Sequence, residues 1–195
     1  MNHSPKRRRV GVLALQGDYA AHIAALSRAG ADAFEIRSRA DLDSAESAVI
    51  PGGESTVMSS LLQRFGFLDA FRERIRAGMP VFGTCAGLIL LAKEVEGQNL
   101  PGLGLLDVKV RRNAYGTQID SFRAPLRTSV PGAEELEGVF IRAPKIVWTG
   151  PGVEVLALHD GNPVLVREGN ILGATFHPEL IPGVFIHTWF LGFQP

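Results

Sequence analysis

The sequence is poor in cysteine and has no excess of charge of either sign. Its only cysteine is Cys85, so an internal disulfide is excluded. Twenty basic residues balance twenty acidic ones, which excludes a global attraction to nucleic acid or to an anionic membrane. No apolar run is long enough to span a bilayer, and the first ten residues lack the long apolar segment of a secretory signal. We therefore expect a cytoplasmic protein that binds neither nucleic acid nor membranes, in which residues 1–9 form a flexible basic tail.

Apolar residues are plentiful, and in the first half of the chain they follow strand and helix patterns in turn. They make up 46% of 195 residues, enough for a substantial core, so we expect one domain spanning residues 1–195. Short, wholly apolar runs predict buried strands at residues 10–15, 33–36, 48–50 and 80–82. Amphipathic segments predict helices at residues 19–29, 55–63 and 68–77, with Asp18 and Ser55 as N-caps of the first two.

This alternation predicts a three-layer, flavodoxin-like α/β sandwich with a mostly parallel central sheet. The second half is richer in strands, separated by turn pairs such as Pro131-Gly132. We expect these strands to be antiparallel and to extend or flank the parallel core. They are predicted at residues 106–110, 118–126, 139–141, 145–148, 153–159, 163–168 and 171–176.

The single cysteine lies in the segment "GTCAG", between the strand expected at residues 80–82 and a helix expected to begin near Ala86. A nucleophile on such a tight turn projects from the sheet edge, and flanking glycines relieve the crowding of strand and helix. The amino terminus of the helix would favour the thiolate of Cys85. The alternative is a buried cysteine that packs as a small apolar residue.

A cysteine nucleophile needs a proton carrier, and His177 is the best placed of the five histidines. It follows the strand expected at residues 171–176, which puts it at a strand's carboxyl end, as Cys85 is. Glu179 comes two residues later, and a two-residue step in extended chain brings both side chains to one side. Glu179 would then orient the imidazole of His177. For an isolated His-Pro-Glu motif, a strand-end histidine beside a solvated glutamate is the better explanation, but the presence of the cysteine turn favours the catalytic one. We interpret His3, His22, His159 and His187 as surface or packing residues.

The segment "PGGES" at residues 51–55 is a third strand-end loop. Adjacent glycines can turn their peptide N–H groups toward an anion, although the segment could also be an ordinary turn. If it lies beside Cys85, the N–H of Gly52 or Gly53 together with that of Ala86 would form an oxyanion hole for a tetrahedral intermediate.

Six motifs in order along the chain resemble one family. They are "LALQGD", "PGGEST", "FGTCAGLILLAKE", "RRNAYGTQIDSF", "VFIRAP" and "FHPEL". The chain resembles the glutaminase subunits of pyridoxal 5′-phosphate synthase, within the class I (triad) glutamine amidotransferases. The resemblance implies hydrolysis of L-glutamine to glutamate and ammonia through a γ-glutamyl thioester. The ammonia would pass to a separate synthase subunit in a hetero-oligomeric complex. We expect no metal and no cofactor.

The resemblance also implies roles for individual residues. Cys85 would be the nucleophile, His177 the acid and base, and Glu179 the orienting carboxylate. Gln16 would couple the site to the synthase, and the helix at residues 19–29 would form part of that interface. Glutamine would contact Gly52, Gly53, Glu54, Arg112, Ile141 and Arg142, and guanidinium groups suit an α-carboxylate.

The chain departs from the family after "HPEL", where it continues into a short, apolar end, "IPGVFIHTWFLGFQP". Exposed Phe185, Trp189 or Phe193 would mark a partner contact. Two alternatives of other classes are a redox-sensing protein, in which the thiol of Cys85 is oxidised, and a non-catalytic binding subunit that retains the fold.

Overall fold

Two β-sheets, α-helices and one short 3-10 helix form the part of the protein described by the computed structural model, residues 7–112, 121–133 and 135–193. The strands are β1 (Arg9–Leu13), β2 (Asp32–Ile36), β3 (Ser47–Ile50), β4 (Val81–Thr84), β5 (Ala92–Val95), β6 (Leu106–Arg111), β7 (Phe122–Thr128), β8 (Glu135–Phe140), β9 (Lys145–Thr149), β10 (Glu154–His159), β11 (Asn162–Glu168) and β12 (Ile171–Ala174). The helices are α1 (Tyr19–Arg28), α2 (Arg39–Ser44), α3 (Ser55–Arg64), α4 (Phe67–Arg76), α5 (Ala86–Leu91) and α6 (Phe185–Leu191), and the 3-10 helix is Pro178–Leu180.

The larger sheet has nine strands in the order β2-β1-β3-β4-β12-β11-β10-β7-β8. Neighbours from β2 through β12 are parallel, and neighbours from β12 through β8 are antiparallel. A second sheet of three strands, β5-β6-β9, is not hydrogen-bonded to the large sheet but shares a hydrophobic cluster with β3 and β4. The predicted fold class is therefore confirmed, because antiparallel strands both extend and flank a parallel core.

Side chains of the parallel strands alternate between two hydrophobic clusters, one on each face of the large sheet. In β4, Val81 belongs to the cluster under α2 to α5 and the second sheet, whereas Phe82 belongs to the cluster under α1 and α6. In β12, Ile171 and Leu172 divide in the same way. A strand that is buried on both faces must be apolar at every position, which is why these runs show no polar alternation.

Most predicted elements are present within a few residues of their expected ends, but α2 and β5 were not predicted. The signal for α2 was readable, since Ser38 and Asp41 form a capping box at its start. The expected N-cap of α3 is corrected, because Glu54 rather than Ser55 accepts hydrogen bonds from the first turn. Asp18 is the N-cap of α1, but its side chain makes no capping hydrogen bond. Residues 118–120 of the strand predicted at 118–126 lie outside the described residues.

Both ends of the described chain pack more closely than expected. Arg9 begins β1, and the guanidinium of Arg8 donates to the backbone oxygens of Leu191 and Phe193, so residues 8 and 9 are not part of a solvated tail. The C-terminal aromatic residues are not exposed, so the condition for a partner contact there is not met. Phe193 is buried, and the partly buried Phe185 and Trp189 pack against the same cluster as Phe190. Their apolar surface is used inside the protein.

Strand and helix approach closely around the turn that holds Cys85. A Cβ on Gly87 would overlap the backbone oxygen of Ile50, and a Cβ on Gly83 would lie 2.7 Å from the carbonyl carbon of Gly87. Backbone atoms cannot move aside as a flexible side chain can. Glycine is therefore required at both positions for α5 to pack against β3 and β4.

We expect Gly87→Ala to destabilise the protein by about 3 kcal/mol or more, because the new methyl group meets fixed backbone. Gly183→Ala is the matched control, since a Cβ there would meet no atom within 4 Å. Urea unfolding followed by circular dichroism measures both variants. Equal stability of the two variants would contradict the close approach at Gly87.

Candidate active site

Three loops with the predicted site residues leave the same edge of the large sheet. β3 leads into the glycine pair at residues 52 and 53, β4 leads into Cys85, and β12 leads toward His177. β4 lies between β3 and β12 and is parallel to both. Because the carboxyl ends of parallel neighbours lie side by side, residues far apart in the chain converge here.

Cys85 occupies a strained turn between β4 and α5. Its φ of 47° and ψ of −102° are sparsely populated for a residue with a side chain, and such a conformation costs on the order of 1–3 kcal/mol. The turn is held by two backbone hydrogen bonds, from Cys85 N–H to the oxygen of Ala174 at 2.8 Å and from Ile89 N–H to the oxygen of Cys85 at 3.2 Å. The turn matches the predicted nucleophile elbow.

His177 and Glu179 form a direct hydrogen bond. Nδ1 of His177 lies 2.7 Å from Oε1 of Glu179, and both side chains are almost fully buried. The backbone differs from the expected extended chain, because residues 178–180 form a 3-10 helix that brings the carboxylate back onto the ring. The N–H of His177 donates to the oxygen of Val139 at 2.8 Å, which ties this turn to β8.

The imidazole of His177 is strongly basic in this setting. Burial alone would lower its pKa, but hydrogen bonding to Cys85 and to Glu179, together with the charges of both, raises it to about 10. Burial by itself would raise the pKa of Glu179, but the electrostatic interaction with His22, whose Nε2 faces the carboxylate, and the hydrogen bond with His177 hold it below its usual range. At neutral pH an imidazolium ion therefore lies between the sulfur and a carboxylate.

The glycine loop packs directly on the ring of His177. A Cβ on Gly52 would overlap Cε1 of the His177 ring. The oxygen of Gly52 accepts a hydrogen bond from the N–H of Asp18 at 3.2 Å, which holds the peptide between Gly52 and Gly53 in one orientation. A Cβ on Gly53 would lie 2.5 Å from Oε1 of Gln16. The loop is thus enclosed between the histidine and the residues that precede α1.

Glu54 connects three parts of the site. Its carboxylate accepts the N–H groups of Thr56 and Val57 at the start of α3 and lies 3.1 Å from the guanidinium of Arg112. Its own N–H donates to Oε1 of Gln16 at 2.9 Å. Gln16 therefore acts on the site through the backbone of Glu54, and Arg112 is held at the mouth of the site.

A cavity of about 330 Å³ opens in front of Cys85 and His177, a volume within the range that suits a small-molecule ligand. The oxygen of Ile141 lies 3.9 Å from Sγ of Cys85, and Arg142 has a positive φ of 46°. All the predicted site residues except Gln16, Ala86 and Glu179 line this cavity. The lining comprises Asp18, Gly52, Gly53, Glu54, Ser55, Cys85, Ile89, Arg112, Ile141, Arg142, His177 and Leu180.

Two histidines that were interpreted as surface or packing residues, His22 of α1 and His187 of α6, are buried behind the site, and their link to Glu179 was not predicted. Nε2 of His22 lies 3.3 Å from Oε2 of Glu179, and Nδ1 of His22 lies 3.1 Å from Nε2 of His187. The only signal in the sequence is that each histidine lies in a helical segment with many apolar residues. Among the described residues, no group of three or more His, Cys, Asp or Glu side chains could hold a metal ion.

We expect His177 to remain protonated at pH 8, because its pKa of about 10 lies above that value and the acid form persists below the pKa. Replacing Cys85 with serine removes the sulfur that helps to raise the pKa of His177, so this pKa should fall in Cys85→Ser. A pH titration of ¹⁵N-labelled histidine rings by NMR measures both proteins. A neutral His177 at pH 8 in the unaltered protein would contradict this assignment.

Comparison with known proteins gives matches over almost the whole chain. The model of the SNO glutamine amidotransferase family matches residues 12–193. Pyridoxal 5′-phosphate synthase subunit PdxT of Koribacter versatilis is 52% identical over 183 residues, covering 94% of each chain. The PdxT subunit of Thermotoga petrophila is 46% identical, covering 94% of this chain and 97% of its own.

Solved structures agree with the sequence relatives. A crystal structure of a glutamine amidotransferase superposes with a TM-score of 0.90 at 46% identity, covering 94% of this chain and 97% of its own. A chain in the structure of PurLQS from Thermotoga maritima, 18% identical, shares the fold alone, with a TM-score of 0.69 over 94% of this chain and 98% of its own. The resemblance read from the motifs is confirmed, and the chain belongs to the SNO glutamine amidotransferase family.

Proposed function

We propose that this protein is the glutaminase subunit of a pyridoxal 5′-phosphate synthase. It hydrolyses L-glutamine to L-glutamate and ammonia through a thioester on Cys85, and it passes the ammonia to a synthase subunit. The observation that carries the proposal is the hydrogen-bonded series of Cys85, His177 and Glu179 at the wall of a cavity. Relatives named as PdxT subunits, 46–52% identical over most of both chains, support the choice of complex.

The first half of the reaction forms the thioester. The sulfur of Cys85 attacks the amide carbon of glutamine, and the developing oxyanion is stabilised by backbone N–H groups of Gly52 or Gly53 and of Ala86. The imidazolium of His177 gives its proton to the leaving nitrogen, so ammonia departs and the carbon–nitrogen bond breaks. Glu179 stabilises the positive ring of His177 until that proton is transferred.

The second half releases glutamate. The neutral His177 now accepts a proton from water, and the resulting hydroxide attacks the thioester carbon. The carbon–sulfur bond breaks, and the proton on His177 is again shared with the sulfur of Cys85. The strained turn at Cys85 keeps the sulfur in the same position for both steps.

Charged groups at the cavity mouth suit the other end of glutamine. Arg112 presents a guanidinium that can pair with the α-carboxylate, and Glu54 beside it can accept from the α-ammonium group. Arg142 and the backbone of Ile141 complete this end of the cavity. A zwitterion would therefore be bound by complementary charges, with its side chain directed toward Cys85.

The proposal includes one catalytic domain, a cytoplasmic location and control by the synthase. A single domain is supported by the large sheet shared by both hydrophobic clusters. A reducing cytoplasm would keep the free thiol of Cys85 active. Among the described residues, no helix is long and apolar enough to cross a membrane.

Control by the synthase would begin with docking at α1. Gln16 is hydrogen-bonded to the backbone of Glu54, and Asp18 is hydrogen-bonded to the backbone of Gly52. Docking would act through these two residues and reorient the peptide between Gly52 and Gly53.

We expect glutamine-dependent ammonia release to rise strongly when the synthase partner is added, with a smaller change in glutamine affinity. Cys85→Ala should abolish the release, and His177→Asn should abolish it while leaving the fold intact, because each removes a reacting group. A coupled glutamate assay with and without the synthase measures this. Activity that survives in Cys85→Ala would refute Cys85 as the nucleophile, and no activity of the unaltered protein in any mixture would favour the redox-sensing or the non-catalytic alternative.

We expect Arg112→Gln to raise KM for glutamine about 10-fold to 100-fold, the loss typical of one charge-assisted contact. The turnover number should change little, because the α-carboxylate lies away from the bond that breaks. Arg111→Gln is the matched control, since Arg111 is exposed and pairs with Glu96 outside the cavity. Steady-state kinetics of the complex with each variant decides, and an equal effect of both changes would refute the role of Arg112.

A further inference from the structure

The buried histidines behind Glu179 are unusual for a hydrophobic cluster. His22 and His187 each have 0% exposed surface, and they come from α1 and α6, at opposite ends of the chain. The ring of Phe82 contacts both of them edge-on. Burying two polar rings in an apolar layer costs free energy unless their nitrogens find partners, so their partners indicate what they do.

The hydrogen positions follow from those partners. Nε2 of His22 faces Oε2 of Glu179 at 3.3 Å and Oγ1 of Thr84 at 3.0 Å. A bare ring nitrogen would repel the carboxylate, so Nε2 must carry the hydrogen and share it between the two oxygens. Nδ1 of His22 is then an acceptor, and it is 3.1 Å from Nε2 of His187, which must donate.

Both rings are neutral at physiological pH. Burial lowers the pKa of His22, which faces Glu179, His177 and Asp18, and burial lowers the pKa of His187 to about 3. For His187, the other nearby charges are those of Glu179 and Arg28. The pair therefore supplies hydrogen-bond direction without adding a charge that would compete with the imidazolium of His177.

We propose that His22, backed by His187, is a positioning residue that holds the carboxylate of Glu179 so that Oε1 stays on Nδ1 of His177. The ring N–H of His187 then points to His22, the ring N–H of His22 points toward Glu179, and His177 donates to Glu179 from the other side. The inference rests on the proposed glutaminase function. It extends the triad by two residues that touch neither substrate nor sulfur.

The second carboxylate oxygen of Glu179, Oε2, needs a nearby donor to keep its orientation. Within the described residues, Oε2 of Glu179 is fully buried and has no hydrogen bond of good geometry, and Nε2 of His22, 3.3 Å away, is the polar group that faces it. Without the N–H of His22, the carboxylate would turn to satisfy this oxygen and would leave Nδ1 of His177. Thr84 adjoins Cys85, so the same N–H also fixes the end of the strand that carries the nucleophile.

Two variants of equal size test the positioning role in the reconstituted complex with the synthase. His22→Leu has no donor, whereas His22→Gln keeps an amide N–H near the position of Nε2. We expect kcat to fall about tenfold or more in His22→Leu, with KM for glutamine within about twofold, and to recover largely in His22→Gln. Equal turnover in His22→Leu and the unaltered protein would overturn the proposal, as would equal loss in both variants.

Phe82→Leu is the packing control. It removes an aromatic contact with both rings but leaves every hydrogen bond of Glu179 in place. We expect its melting temperature to fall while kcat stays within about twofold. If Phe82→Leu loses turnover as strongly as His22→Leu does, the effect is one of packing and the positioning role is wrong.

Ring ¹⁵N NMR of the unaltered chain tests the same proposal without catalysis and without a variant. The hydrogen must lie on Nε2 in both His22 and His187, and the imidazolium of His177 must carry one of its two ring hydrogens on Nδ1. A hydrogen on Nδ1 of His22, or an imidazolium there at neutral pH, would refute it. Absence of glutaminase activity in the unaltered complex would refute the proposed function instead, and the NMR result would still decide the arrangement of the rings.

Discussion

The turn between β4 and α5 is the constraint on which the rest of the site depends. Cys85 adopts a positive φ that a residue with a side chain rarely accepts, and the surrounding backbone leaves it no alternative. Its N–H is bound to β12, and Gly83 and Gly87 allow the helix to press against β3. The free energy stored in this turn is offset by the packing of a sheet that is buried on both faces.

Electrostatics determines what the positioned sulfur can do. The side chains of His177 and Glu179 lie in a nearly water-free layer, where charges interact strongly and unpaired charges are costly. The pairing raises the pKa of His177 to about 10 and holds that of Glu179 below its usual range. Neutral His22 and His187 close the other side of the carboxylate without adding charge. A glutaminase reaction needs this arrangement, because one ring must both give and take a proton.

Local patterns predicted much of the fold and part of the site. The strands β1, β3, β4 and β12 could be predicted from their apolar runs, because a strand that is buried on both faces is apolar at nearly every position. The elbow at Cys85 and the pair His177 and Glu179 were readable because their neighbours are glycine and proline. Helix α2 was missed because it is short, and β5 was missed because two of its four residues are exposed. The N-cap of α3 was misplaced by one residue, since Glu54 reaches the helix amides that Ser55 was expected to bind.

The sequence by itself determined the alternation of strands and helices, the glycine-framed cysteine and the order of motifs that marks the family. These features follow from local spacing, which a linear chain displays directly. Only the tertiary structure decided that Glu54 meets Arg112, that the apolar C-terminus packs inside the protein, and that His22 and His187 meet behind Glu179. These contacts join residues from distant parts of the chain. They form only when whole helices pack on the sheet, so no local sequence pattern predicts them.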